Sequence, residues 1–253
     1  MKYDVIIVGA GPGGIYSAYE LMKKCSDKKI AVFDSGYSLK KRHCPIDGEK
    51  VKACIKCKSC SIMSGFGGAG AFSDGKYNIT NDFGGTLYEY IGKKAATELM
   101  QYVDDINMAH GGEGTKMYST AGTNLKKVCL QNRLKLLNAS VRHLGTDINL
   151  VVLGRLYDEL KEHVDFYFES PVSHIECLEN GGYRVWSNDK SYDCEKCIVS
   201  VGRSGSKWME HICKELEVQP CGSGRARRAS CSAVLPFNRR TVRKQDRIPY
   251  REV

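Results

Sequence analysis

Two groups of residues in this 253-residue chain have types and spacings that could do chemistry. The first is glycine. Gly9-Ala10-Gly11-Pro12-Gly13-Gly14 follows G-x-G-x-x-G at Gly9, Gly11 and Gly14, and Asp34 stands twenty residues beyond Gly14. Between a strand and a helix each position has its own role. Gly9 permits a tight turn, Gly11 lets backbone approach a diphosphate, and Gly14 lets helix and strand pack closely. The helix start, Gly13 included, offers free N–H groups and partial positive charge to that anion. Asp34 can accept hydrogen bonds from ribose hydroxyls. An acid there disfavours a 2′-phosphate, so FAD or NAD fits better than NADP. The plainer alternative, a glycine-rich turn with no ligand, has to explain why strand, helix, second strand and acid are all in register.

The second group is cysteine. Cys54, Cys57 and Cys60 form two C-x-x-C steps sharing one residue, and Cys44 lies ten residues upstream of Cys54. Four thiols so close suit Zn²⁺ or an iron–sulfur cluster. One C-x-x-C pair could instead carry electrons between a flavin and a disulfide. Reduced thiols in a packed loop are the third option, and no histidine or acidic ligand completes a metal set. Cys194 and Cys197 make another C-x-x-C bordering a strand, which reads as structural.

The elements that must position these groups are legible in part. Tyr3 to Val8 is an apolar, β-branched run suited to a buried parallel strand. Ile15, Ala18, Leu21 and Met22 recur at helical spacing, with Lys23 and Lys24 at the C-terminal end. Ile30 to Phe33 is the next strand. Ser64 to Lys76 holds too many glycines for a regular element and suits a loop whose backbone approaches a flat or anionic ligand. Leu156 to His163 predicts a helix and Asp165 to Phe168 a strand. Val172–Cys177 and Tyr183–Trp186 alternate like a hairpin around Asn180-Gly181-Gly182, and Lys196 to Val201 is a strand breaking into a turn at Gly202. The fold class is therefore α/β: a Rossmann-like domain with a parallel sheet, a βαβ start and an inserted, incomplete β-rich substrate domain. Boundaries fall at 1–150 for the nucleotide domain with its Cys/Gly-rich insertion, 151–219 for helix, meander and return strand, and 220–253 for a tail.

Composition excludes several classes. Hydrophobic residues make up 42% and aromatics 9%, ordinary values for a globular protein. No run approaches a membrane span, and the early Asp4 and the glycine turn argue against a signal peptide, so the cytoplasm is the expected compartment. In a reducing compartment the twelve cysteines read as thiols, ligands or redox groups rather than disulfides. The net charge of +9 is concentrated in the tail: Pro220 to Val253 carries nine Lys or Arg against two Asp or Glu, the rest 29 against 27. The body shows no basic stripe with interleaved aromatics, so nucleic acid is not an expected partner and a small-molecule substrate is. Oligomeric state is open.

The order of elements resembles that of flavoproteins with two dinucleotide-binding domains, and more narrowly a bacterial family of FAD-dependent dehydrogenases. The residues carrying the resemblance are Gly9–Gly14, Asp34, Cys44-Pro45, Cys54–Cys60, Ser61–Lys76, Arg142–Asp147 and Val201–Gly205. It implies an FAD-dependent oxidoreductase with non-covalent FAD, Gly9, Gly11, Gly14 and Asp34 holding the ADP part. Gly67, Gly68 and Gly70 would lie along the pyrophosphate and ring, and Gly202 would return the chain to the cofactor. NAD(H) is the expected electron partner. Disulfide reductases of similar architecture use Cys-x4-Cys, which is absent here. Other readings are a flavin-linked thiol–disulfide or iron–sulfur carrier using Cys44, Cys54, Cys57 and Cys60, and a non-enzymatic nucleotide-binding fragment. His143 could serve as acid/base or anion contact, Arg142 could bind a carboxylate, and Lys76 could sit near the ring. A solvent-facing or structural position is the plainer reading of His143.

The tail has its own signature. Arg225-Ala226-Arg227-Arg228-Ala229-Ser230-Cys231-Ser232 shows no apolar period and reads as a disordered basic arm. Codons for Val-Arg-Val-Glu-Leu-Pro-Ala-Val, read one base early, also give these eight residues, and Val242–Pro249 can be derived the same way. The sequence therefore predicts a frameshift near residues 219–222, with a native C-terminal part replaced.

Overall fold

The run at residues 3–8 forms the middle of a seven-stranded sheet. The computed structural model describes residues 1–179, 181–216 and 233–234. In chain order these form β1 (Lys2–Val8), α1 (Pro12–Lys24), β2 (Ile30–Phe33), β3 (Lys76–Ile79), α2 (Tyr88–Ile91), α3 (Lys93–Asn107) and β4 (Met117–Ser119). There follow α4 (Leu125–Gln131), β5 (Ser140–His143), α5 (Gly145–Leu160), β6 (Val164–Tyr167), β7 (Val172–Cys177), β8 (Tyr183–Ser187), β9 (Lys190–Val199), α6 (Ser206–Glu215) and β10 (Ala233–Val234).

The large sheet runs β6-β2-β1-β9-β8-β7, with β10 also on β9. β2 and β9 flank β1, both parallel to it, and β6 extends the parallel half. β9, β8 and β7 form an antiparallel meander continuous with that half. All four residues of β2 are buried, as a parallel strand covered on both faces requires. One face packs under α1 and α5 through Val5, Ile7, Ile15, Val32, Leu156 and Leu160. The other packs against the meander and α6 through Ile6, Val8, Phe33, Ile175, Val185 and Ile212. A second sheet, β3-β5-β4, is antiparallel and lies within residues 76–143.

The predicted strands and hairpin at 3–8, 30–33, 165–168, 172–177 and 183–186 are present, with ends shifted by a residue or two. Two elements are longer than the sequence predicts. The helix expected at 156–163 begins at Gly145, because Asn149, Val152 and Leu153 are buried one turn after another. Position 150 thus falls inside α5. The strand expected from Lys196 begins at Lys190, since one strand serves both meander and parallel sheet. Within the glycine-rich stretch a short 3₁₀ turn spans Gly68–Phe72, and Lys76 opens β3. The basic tail, with the frameshift expected in it, lies outside the described residues apart from the Ala233–Val234 pairing with β9, and Asn180 of the hairpin turn lies outside them too. Among the described residues no helix is long and apolar enough to cross a membrane.

Candidate functional site: a glycine-walled cleft

The carboxyl ends of β1, β2 and β9 open into a cleft of about 790 Å³, within the range of small-molecule and cofactor sites. Ligands bind at this end of open α/β sheets. Gly9, Gly11, Gly13, Asp34, Gly68, Gly70 and Gly202 all line it. Gly14 and Gly67 do not, and they serve the packing behind it.

The glycines divide by physical role. Gly9 has φ +104°, and a Cβ there would stand 2.8 Å from the Ser200 carbonyl oxygen. A Cβ on Gly14 would overlap the Gly9 carbonyl oxygen. Both are demanded by the approach of β1, α1 and β9. Gly11 and Gly202 are different. Their φ values, −76° and −79°, suit any residue. A Cβ on Gly11 would approach nothing closer than the Gly68 Cα at 4.0 Å, and one on Gly202 would meet nothing within 4 Å. Packing among the described residues demands neither glycine, and both border the cleft.

The N-terminus of α1 has Pro12 in its first turn, no side-chain cap and no acidic residue. Its orphan N–H groups and the positive end of its dipole therefore remain available to an anion. The second glycine loop docks on this turn: Gly67 N–H donates to the Ala10 carbonyl at 2.8 Å, and a Cβ on Gly68 would lie 3.1 Å from the Gly11 Cα.

Asp34 does more structural work than a ribose contact. Its Oδ2 accepts from Ala10 N–H at 2.7 Å, and its Oδ1 accepts from Gly36 N–H at 2.7 Å and Gly65 N–H at 2.9 Å. One carboxylate thus ties both glycine loops to the end of β2, and its three N–H partners come from the chain itself. Arg42, which nothing in its run of three basic residues sets apart, is buried beneath the second loop. It donates to the carbonyls of Ser61, Ile62 and Phe66 at 2.8, 2.9 and 2.6 Å and lies over the Phe72 ring. Burial holds its pKa below the ordinary arginine value. No spacing marks such a residue in advance.

The cysteines are not gathered. Among the described residues no group of three or more His, Cys, Asp and Glu side chains is placed to hold a metal ion. Cys57 and Cys60 line the cleft, while Cys44 and Cys54 do not. Cys54, Cys57 and Cys60 are exposed and all four thiols are free, so the expected Zn²⁺ or iron–sulfur ligand set is not assembled. Cys194 and Cys197, in contrast, are buried on β9, and the Cys194 contact together with burial pushes the Cys197 thiol well up.

Two further expectations, for Arg142 and Lys76, are corrected, while His143 takes the solvent-facing position that is its plainer reading. Arg142 does not face a ligand: it pairs with buried Asp104, Nε to Oδ1 at 2.7 Å and Nη2 to Oδ2 at 2.8 Å. That hydrogen bond raises its pKa. Lys76 pairs with Asp74 at 2.6 Å and His143 is exposed on β5, and neither lines the cleft. The charged residues that do are Asp34, Lys58 and Arg203.

Fold and cleft together define an α/β protein with a glycine-walled cleft at the carboxyl ends of its parallel strands. Solved structures similar to it include a glycine oxidase from Geobacillus kaustophilus, at 15% identity and TM-score 0.46, covering 84% of this chain and 58% of that one. An L-α-glycerophosphate oxidase from Mycoplasma pneumoniae with FAD bound gives 13% and 0.44, covering 85% and 57%. A cyclohexanone monooxygenase gives 14% and 0.38, covering 79% and 26%. The chain spans less than two thirds of each of these structures. No family model and no curated protein matches it.

Proposed function

We propose that this chain forms the nucleotide-binding part of an FAD-dependent oxidoreductase of dehydrogenase type, acting on a small-molecule substrate, with NAD(H) as electron partner. The observation that carries the reading is the open space at Gly11 and Gly202, two cleft-lining glycines of ordinary backbone that packing among the described residues does not demand, as a close-lying ligand would. Around that space the residues fit an adenine dinucleotide. The α1 N-terminus, with Lys58 and Arg203 also in the walls, supplies positive charge for the diphosphate. Gly68 and Gly70 extend the same surface from the second loop. Asp34 fixes the two loops relative to one another and so sets the width of the entrance. When bound, FAD supplies the two-electron chemistry, which the fold then orients and shields.

A second reading, a flavin-linked thiol–disulfide protein, is favoured by Cys57 and Cys60 lining the same cleft. One experiment separates the two. The purified protein is loaded with FAD, freed of excess, and titrated anaerobically with dithionite. A flavin spectrum that bleaches with two electrons per flavin supports the dehydrogenase reading. Four electrons per flavin, with two thiols newly reactive, supports the thiol–disulfide reading. Failure to retain FAD while retaining NAD overturns both.

A further inference from the structure

Among the described residues three buried side-chain polar atoms have no hydrogen-bond partner: Ser59 Oγ, Asn107 Nδ2 and Trp208 Nε1. Such atoms are rare in folded proteins and each calls for a cause. Asn107 lies in the helical layer, its Oδ1 accepting from Tyr16 at 2.6 Å. The other two, Ser59 and Trp208, belong to residues lining the glycine-walled cleft. They come from different segments, Ser59 from the cysteine loop and Trp208 from α6, which begins just after the Gly202 turn.

We propose that Trp208 recognises the adenosine half of the cofactor, its indole N–H donating to an acceptor there, and that the Ser59 hydroxyl bonds to the same cofactor from the cysteine loop. This rests on the reading of the cleft as an ADP-containing cofactor site. An indole N–H is a donor only, so no rearrangement among donors can satisfy it; it needs an acceptor. The phosphates belong at the α1 N-terminus with Gly11 and Gly13. The nucleoside therefore extends away from that point, towards Asp34, Ser35 and the Ser170-Pro171-Val172 segment that also lines the cleft. Trp208 borders that end: it packs on the same core cluster as Val172, and α6 lies against β7, which Val172 opens. A purine offers ring nitrogens as acceptors and a flat apolar face, and an indole matches both. Nε1 itself is buried, so donation to the cofactor requires the indole to turn towards the cleft.

The test uses the full chain with ADP and FAD as probes. The chain has two tryptophans, and Trp186 is exposed on β8, so Trp186→Phe leaves Trp208 as the only indole fluorophore. ADP is expected to change the emission of this variant and to leave that of Trp208→Phe unchanged. Trp208→Phe keeps a flat ring but no N–H, and is expected to bind ADP and FAD about five- to tenfold more weakly with an unchanged melting temperature. Ser59→Ala should weaken FAD binding about threefold. Wild-type affinity in Trp208→Phe, or Trp208 emission indifferent to saturating ADP, overturns the inference while FAD binding stands. If neither ADP nor FAD binds the wild-type chain, the cofactor reading falls and this inference with it.

Discussion

The two halves of this chain are held by different forces. Around β1, β2 and β9 the residues are apolar and enclosed: Ile6, Ile7, Val32 and Val199 are essentially without exposed surface. The segment from Thr80 to Ala139 is the reverse. α2 and α4 bury no residue, and Tyr90, Leu130 and Leu134 are exposed. Within this segment and its small sheet Arg142 of β5 pairs with Asp104 of α3, and they join the rest through the polar ties Tyr77 to Asn149 and Tyr16 to Asn107, with Ile106 the main apolar residue lent to the large core. His110, at the end of α3, reaches Glu159 of α5 at 2.6 Å. Apolar enclosure supports a cleft whose walls must stay fixed. A polar-tied segment can open locally without unfolding the remainder.

The sharpest way to break this comparison is Gly14→Val. Its Cβ has no room beside the Gly9 carbonyl, so strand and helix separate and folded protein is lost, as circular dichroism and soluble yield would report. A folded Gly14→Val that binds FAD would refute the account of the turn. Next in size is Asp104→Ala, which strands the mostly buried Arg142 guanidinium. Breaking such a pair costs about 3–5 kcal/mol. The loss should appear as faster hydrogen exchange and proteolysis between residues 80 and 143, with FAD affinity preserved. Equal destabilisation of β1 and β2 would mean the two halves unfold as one.

Gly11→Ala tests the cleft without the core. No neighbour opposes the added methyl, so stability should stay within about 1 kcal/mol, while FAD binding measured by equilibrium titration falls about tenfold. The smallest effect concerns acid. The His110 hydrogen bond holds the Glu159 carboxyl below its ordinary value, with Lys23 adding to it. A lowered carboxyl pKa contributes stability above the unfolded value and loses it as pH falls through the folded one. Glu159 is about a third exposed, so this amounts to under about 1 kcal/mol. Melting temperature should drop slightly less in Glu159→Gln than in wild type between about pH 5 and pH 3.

Much of the parallel half is legible in the sequence because its signals are local. The β-branched run at 3–8, the glycine turn and the helical period after it each identify themselves within a few residues. The inserted segment offers no comparable signal. Its helices α2 and α4 face water on most sides and so lack a strong apolar stripe, and β4 has only three residues. The cleft glycines are legible as a motif, but their division into packing positions and open positions depends on Ser200, 186 residues beyond Gly14. Asp34 stands out for its type and place, while its three backbone partners depend on where residues 10, 36 and 65 come together. Arg42, Ser59 and Trp208 carry no motif, and only burial reveals them.

β9 has a consequence for how this molecule is made. β1 is made before β9, yet β9 is its neighbour on one side, and Ser200 N–H donates to the Val8 carbonyl across 192 positions of sequence. The order of manufacture is thus opposite to the order of assembly at the cleft. Until β9 is made the nascent chain carries an apolar strand edge with no partner, the kind of surface that holding chaperones cover. A ligand of the cleft cannot nucleate folding early, because one of its walls, at the end of β9, is synthesised only after the rest of the parallel half.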